Sequence, residues 1–189
     1  KRWGSSIASS EKARKRAELS GNRRMQASVY AQMGRLELDR GNLEGNRQCY
    51  IDAAAFFEKV KAIAEAVLAQ KEDTELRAHV YEWAFNNLGY AHARLGAHSL
   101  SRGLLNRFLE LRSARGDREG VAFGTMNMGM SYLLEGNLEE AERQLTAGLE
   151  VAKDALAIRP IIDGYRHLAE IYRRRGNNSN AMQYLLLAE

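Results

Sequence analysis

Proline is almost missing from this sequence. Pro160 stands alone among 189 residues, where average usage of about 5% would supply roughly nine. Folds made of many strands and tight turns draw on more turn proline than that, so the scarcity argues against them. Cysteine is equally rare: Cys49 is single, so no internal disulfide can form and nothing argues for an oxidising compartment. No apolar run nears the ~18 residues of a membrane span; AAAFF at 53–57 and YLLLA at 184–188 are the longest patches. No signal-peptide pattern opens the chain. The expectation is a cytoplasmic protein with no membrane segment.

Signatures of catalysis are missing as well. The glycines at 120, 124 and 129 have the wrong spacing for a dinucleotide fingerprint, and no phosphate-binding G-x-x-x-x-G-K-[ST] occurs. His79, His92, His98 and His167 form no H-x-x-x-H pair and have no cysteine companion, which speaks against zinc. Cys49, far in sequence from any histidine, reads as a buried thiol and not a nucleophile. The carboxylates are spread at i,i+3 and i,i+4 from arginines, the pattern of a solvated helix face. No enzyme activity, cofactor or metal is expected.

What is abundant is Ala, Leu, Glu and Arg, the strong helix formers. Charge is unevenly placed. Residues 1–24 hold eight Lys/Arg against Glu11 and Glu18, a net of +6, so with a total of +4 the remainder carries −2. This basic start and the run Arg173-Arg174-Arg175 could attract phosphates. Neither is interleaved with aromatic residues, so nucleic acid is not expected as the partner.

The strongest signal is a repeat. MNMGMSYLLEGNLEEA, from 126, is echoed from 166 by RHLAEIYRRRGNNSNA, from 86 by NNLGYAHARLGAHSLS and from 31 by AQMGRLELDRGNLEGN. Breaking glycines fall at 41, 96, 136 and 176, with intervals of 55, 40 and 40. Seven residues before each break is a small residue, Gly34, Gly89, Gly129 or Ala169, which lets two helix backbones approach. Leu138, Ala141, Leu145, Leu149 and Ala152 recur at helical spacing and mark one buried stripe. Gly136 suits the left-handed position that ends a helix. Asn137 can cap the next, with Glu140 three residues on completing a capping box. A period in this range means stacked helical units.

The motifs L-G-x-A at 88–91, M-G-x-S-Y at 128–132 and L-A-x-I-Y at 168–172, each followed by G-[NA] and a small residue, resemble tetratricopeptide repeats. The resemblance is to the longer, 40-residue repeats of kinesin light chains, Pins-type proteins and bacterial regulators. It implies an all-α fold, a right-handed superhelix of antiparallel helix hairpins. The expected organisation is one array over 1–189: residues 1–21 as the second helix of a preceding repeat, then repeats at 25–70, 74–115, 119–156 and 160–189, the last one open. The 15 extra residues of the first interval would lengthen one hairpin, roughly 43–70 and 74–95, by about two turns per helix.

The resemblance also implies a function, the binding of a partner's peptide segment on the concave face lined by first helices. Mapped onto this chain, that face comprises Trp83, Asn86, Asn87, Tyr90 and Arg94. It continues with Phe123, Met126, Asn127, Met130, Leu133 and Leu134, and then Asp163, Arg166, His167, Glu170, Arg173 and Arg174. Met128 points into the core in this mapping, while Met126 and Met130 line the groove or, alternatively, are buried against a neighbouring repeat. The asparagines would pair with a peptide main chain, and Arg166 and Arg173 would select an acidic flank. The carboxylate-clamp residues of chaperone-binding relatives are not matched at Ala31 and Arg35 or at Asn86 and Tyr90. The alternative is a regulatory arm of a larger signalling ATPase or transcription regulator. The apolar Tyr184, Leu185 and Leu187 on the last helix suggest a second copy as a further partner, through residues 178–189.

Overall fold

The computed structural model describes residues 3–68 and 80–189, the side chain of 68 excepted. Among them every regular element is a helix. The chain forms two compact units, Lys1–Leu95 and Gly96–Glu189.

In the first unit the helices are α1 (Gly4–Ser20), α2 (Arg23–Glu44), α3 (Arg47–Leu68) and α4 (Glu82–Arg94). Helix α2 lies antiparallel to α3 at very short range, and two glycines explain how. A Cβ at Gly34 would sit 2.7 Å from the Phe57 ring, and one at Gly41 2.8 Å from the Tyr50 ring. The two pairs are seven residues apart on both helices, so each ring drops into a hole where the opposite backbone has no side chain.

The sequence places the first hairpin corner at Gly41; the structure places it four residues later. Helix α2 continues through Gly41, which is buried, and ends at Gly45, where φ is +65°. The cause is visible in DRGNLEGNRQ, in which Gly-Asn occurs twice, one helical turn apart. Gly41 is spent on the contact with Tyr50, and Gly45 turns the chain. The intervals between corners therefore run 51, 40 and 40. The lengthened arm is present in part: α3 has 22 residues, against 17 in α5 and 17 in α7, and begins at 47 instead of 43. Its tip and the start of the returning arm lie outside the described residues.

In the second unit the helices are α5 (His98–Ala114), α6 (Arg118–Glu135), α7 (Leu138–Asp154), α8 (Ile158–Arg174) and α9 (Asn178–Leu186). Corners recur every twenty residues, at Gly116, Gly136, Leu156 and Gly176, all with positive φ. At each, the residue after the corner donates its N–H to a helix carbonyl five positions back: Asp117 to Arg112, Asn137 to Tyr132, Ala157 to Ala152 and Asn177 to Tyr172. Such closure satisfies carbonyls that the helix end would leave without partners. Asp117, Asn137 and Asn177 then cap the following helix through their side chains.

The expected capping box at Asn137 is only half formed. Asn137 Oδ1 accepts from Glu140 N–H at 3.1 Å, but Asn137 N–H is already bonded to Tyr132. Glu140 has nothing to cap, and its carboxylate pairs with Arg143 and Gln144.

The core of this unit joins α6, α7 and α8 through Met126, Leu133, Leu145, Leu149, Leu168 and Ile171. Gly129 allows the closest approach, since a Cβ there would lie 2.6 Å from Leu145 Cγ.

Candidate functional site

On α4 the half-buried Trp83, Asn87, Tyr90 and Arg94 share the helix with Asn86, which is 4% exposed. Two of these side chains are tied to neighbouring helices. Tyr90 donates its hydroxyl to Asn42 Oδ1 at 2.6 Å, and Tyr50 donates to the same oxygen at 2.9 Å. Arg94 donates to the Tyr50 hydroxyl through Nε at 3.0 Å and Nη2 at 2.8 Å, with its guanidinium 5.1 Å from the Tyr50 ring centre. This chain of bonds locks α4 onto the α2–α3 corner and fixes the direction of Tyr90 and Arg94.

On α6 and α8, Phe123, Asn127, Leu134, Asp163, His167 and Glu170 are half-buried, and Arg166, Arg173 and Arg174 are exposed. The methionines take the second of the two places the sequence left open, burial against neighbouring helices. Met126 and Met130 are each 3% exposed, as buried as Met128 at 5%. Met126 belongs to the core between α6, α7 and α8, and its methyl group fills the space left by Gly148 and Gly164. Leu133 is likewise interior. The i,i+4 pair Met126 and Met130 therefore offers packing and no open surface, as does Asn86 on α4. A single glycine on α8 is the signal that sequence reading missed: Gly164 lets that helix come close enough to cover Met126.

The arginine run is also engaged. Arg173 donates to Glu170 at 2.7 and 2.8 Å, and Arg174 donates to Glu170 at 2.7 Å and to the Leu133 carbonyl at 2.9 Å. Arg175 donates to Glu142 at 2.6 Å, a carboxylate that also accepts from the Tyr172 hydroxyl at 2.6 Å. These bonds staple α8 to α6 and α7. The hydrogen bond from Arg173, against the opposing effect of burial and with help from Arg174, holds the Glu170 carboxyl down at about 2. The hydrogen bond to Glu142 pushes the Tyr172 hydroxyl up to about 12. Arg173 is thus already paired with Glu170, and Arg166 is exposed.

Cys49 is 2% exposed. Burial, and then its hydrogen bond to Glu37, push its thiol up, the opposite of an activated nucleophile. Among the described residues no three of His, Cys, Asp and Glu are gathered as a metal site would require, and no helix is long and apolar enough to cross a membrane. On α9, Met182, Leu185 and Leu186 are exposed, as is Leu187 just after it, in the segment expected to meet a second copy.

The arrangement of helices is shared with solved structures. The chain matches a Podosopora anserina protein described as a kinesin light chain with nearly identical TPR-like repeats. The TM-score is 0.58 at 14% identity, covering 98% of this chain and 94% of that one. The fold is that of tetratricopeptide-like repeats. BtubC (BKLC) from P. vanneervenii gives a TM-score of 0.56 at 15% identity, over 97% of this chain and 87% of that one. No family model and no curated protein matches the sequence. The TPR-like likeness is thus carried by helix placement, at an identity where side chains on the binding face need not correspond.

Proposed function

We propose that this protein is an interaction scaffold that holds a peptide segment of a partner on the first helices of its hairpins, with repeats at 25–70, 74–115, 119–156 and 160–189. The observation supporting this is the distribution of accessible groups on those helices. Trp83, Asn87, Tyr90 and Arg94 on α4, and Phe123, Asn127, Arg166 and His167 on α6 and α8, combine ring faces, amides and cations. Ring faces suit an apolar anchor, and asparagine amides carry both a donor and an acceptor for an extended main chain. Arg166 supplies the charge that favours an acidic flank.

The test is a selection from a random peptide display library on the immobilised chain. Enriched peptides should lose about tenfold in affinity, some 1.4 kcal/mol, to the double variant Asn127→Ala/Arg166→Glu, with the helical circular dichroism unchanged. Peptides that bind both proteins equally, or no enrichment at all, would remove the proposal.

A further inference from the structure

Helix α9, NSNAMQYLL, is alone among the described helices in having no Asp, Glu, Lys or Arg, and the uncharged stretch extends from Gly176 to Ala188. Its rotation is fixed by what it buries. Ala181 and Ala188 are buried, and the Tyr184 ring stacks on that of Tyr172, centres 5.3 Å apart, with Tyr165 at 6.2 Å. Tyr184, which the sequence offered to a second copy, is thereby turned onto α8 and half-buried. Met182, Leu185 and Leu186, at i, i+3 and i+4, are left exposed as one stripe. Three large apolar residues exposed to this degree amount to roughly 300 Å² of accessible surface, a patch of the size that marks interaction sites.

Two features decide what covers this stripe. The groups around it are complementary to themselves. Asn178, Ser179 and Gln183 are exposed, and an amide or a hydroxyl carries both a donor and an acceptor, so each can bond its own counterpart. A carboxylate or an ammonium repels its counterpart. In a two-fold contact the same patch meets itself, and α9 can do so without bringing like charges together. Net charge points the same way. The second unit holds twelve Lys/Arg and twelve Asp/Glu, so two such units approach without net repulsion, whereas the +6 of residues 1–24 lies in the first unit. A partner steered by charge finds none to read on α9.

We infer that α9 pairs two copies of this chain across a two-fold axis close to Leu185. Met182, Leu185 and Leu186 of each copy form the apolar centre, and the amides form the rim. The two stripes together remove roughly 600 Å² from water, and the rim brings the total to about 1,000 Å², the lower bound for a specific interface. The dimer therefore forms at high concentration and dissociates on dilution.

The test is equilibrium sedimentation of the whole chain from low micromolar to near-millimolar concentration, repeated with Leu185→Glu, with Leu185→Lys and with an equal mixture of the two. The parent should pass from monomer to dimer and go no further. Each variant should keep its helical circular dichroism, because position 185 is exposed, and should self-associate about tenfold more weakly or less still, since like charges then face each other. The mixture should regain the dimer through a Glu–Lys pair across the axis. Asn127→Ala/Arg166→Glu should dimerise as the parent does, which separates this contact from the peptide-binding reading. A parent that stays monomeric throughout, as it would if a segment of another protein covered the stripe, would overturn the inference. So would a mass that climbs past two chains, single variants that still dimerise, or a mixture that stays monomeric.

Discussion

Gly41 lies directly beneath the Tyr50 ring, so close that a Cβ on the glycine would be 2.8 Å from two ring atoms. The ring has no easy retreat, because its hydroxyl is bonded to Asn42 and Arg94. Gly41→Ala should therefore destabilise the protein by about 1–2 kcal/mol, the overlap exceeding the ~1 kcal/mol that alanine gains in a helix. Gly103 is the internal control, an exposed glycine within α5 where an added Cβ meets nothing within 4 Å. Gly103→Ala should stabilise. Urea denaturation of both variants checks the opposite signs, and a stabilised Gly41→Ala would refute the packing described.

Leu156 occupies the corner position that glycine holds at 116, 136 and 176. Its φ is 53° and its side chain is 83% exposed. A non-glycine residue in the left-handed region costs about 1–2 kcal/mol, and here no burial offsets it. Leu156→Gly should raise stability by about 0.5–1 kcal/mol, part of the relief being returned through the greater freedom of glycine in the unfolded chain. A thermal melt no higher than that of the parent would count against the strained corner.

Met126 at 3% exposure predicts a structural and not a selective phenotype. Met126→Asp should forfeit at least the ~2–5 kcal/mol of a core truncation, with desolvation of a carboxylate added. Helical circular dichroism at a temperature where the parent is folded should drop. Asn127→Asp, one position along on a half-buried site, should keep it. Intact helicity in Met126→Asp would return Met126 to the surface.

Acid should weaken the ion pairs at the end of α8. Glu170 titrates near 2 in the folded chain, below the ordinary carboxylate value near 4.5. The folded state thus binds its proton less readily than the unfolded one, and the stability this contributes is present above about 4.5 and lost as pH falls toward 2. Glu170→Gln should lower stability at pH 7 and flatten the decline across that window. Parallel pH profiles for parent and variant would show that the pairing with Arg173 and Arg174 contributes nothing.

How much of this was legible in the sequence follows from what each signal encodes. Gly96, Gly136 and Gly176 mark true corners because a following cap or helix start accompanies each one, and the 40-residue period identifies hairpins. Gly41 misleads because glycine serves two purposes, turning a chain and admitting a neighbour, and only the position of Tyr50 tells them apart. Met126 and Met130 stay open between groove and core for a related reason. The pattern places them on the first helix, but whether Met126 is covered depends on how closely α8 approaches, which is set by Gly164 far along the chain. Arg173 and Arg174 pair with Glu170 at the i,i+3 and i,i+4 spacing the sequence shows, but the bonds of Arg174 to Leu133 and of Arg175 to Glu142 join three helices, and spacing along one helix cannot reveal those.

The central claim, that first-helix side chains receive a peptide, is tested most directly by mapping. An isotope-labelled chain titrated with a display-selected peptide should show its largest amide shifts at Trp83, Asn87, Tyr90, Phe123, Asn127 and Arg166. Shifts confined to α3, α5, α7 and α9, with those six residues unmoved, would contradict the account.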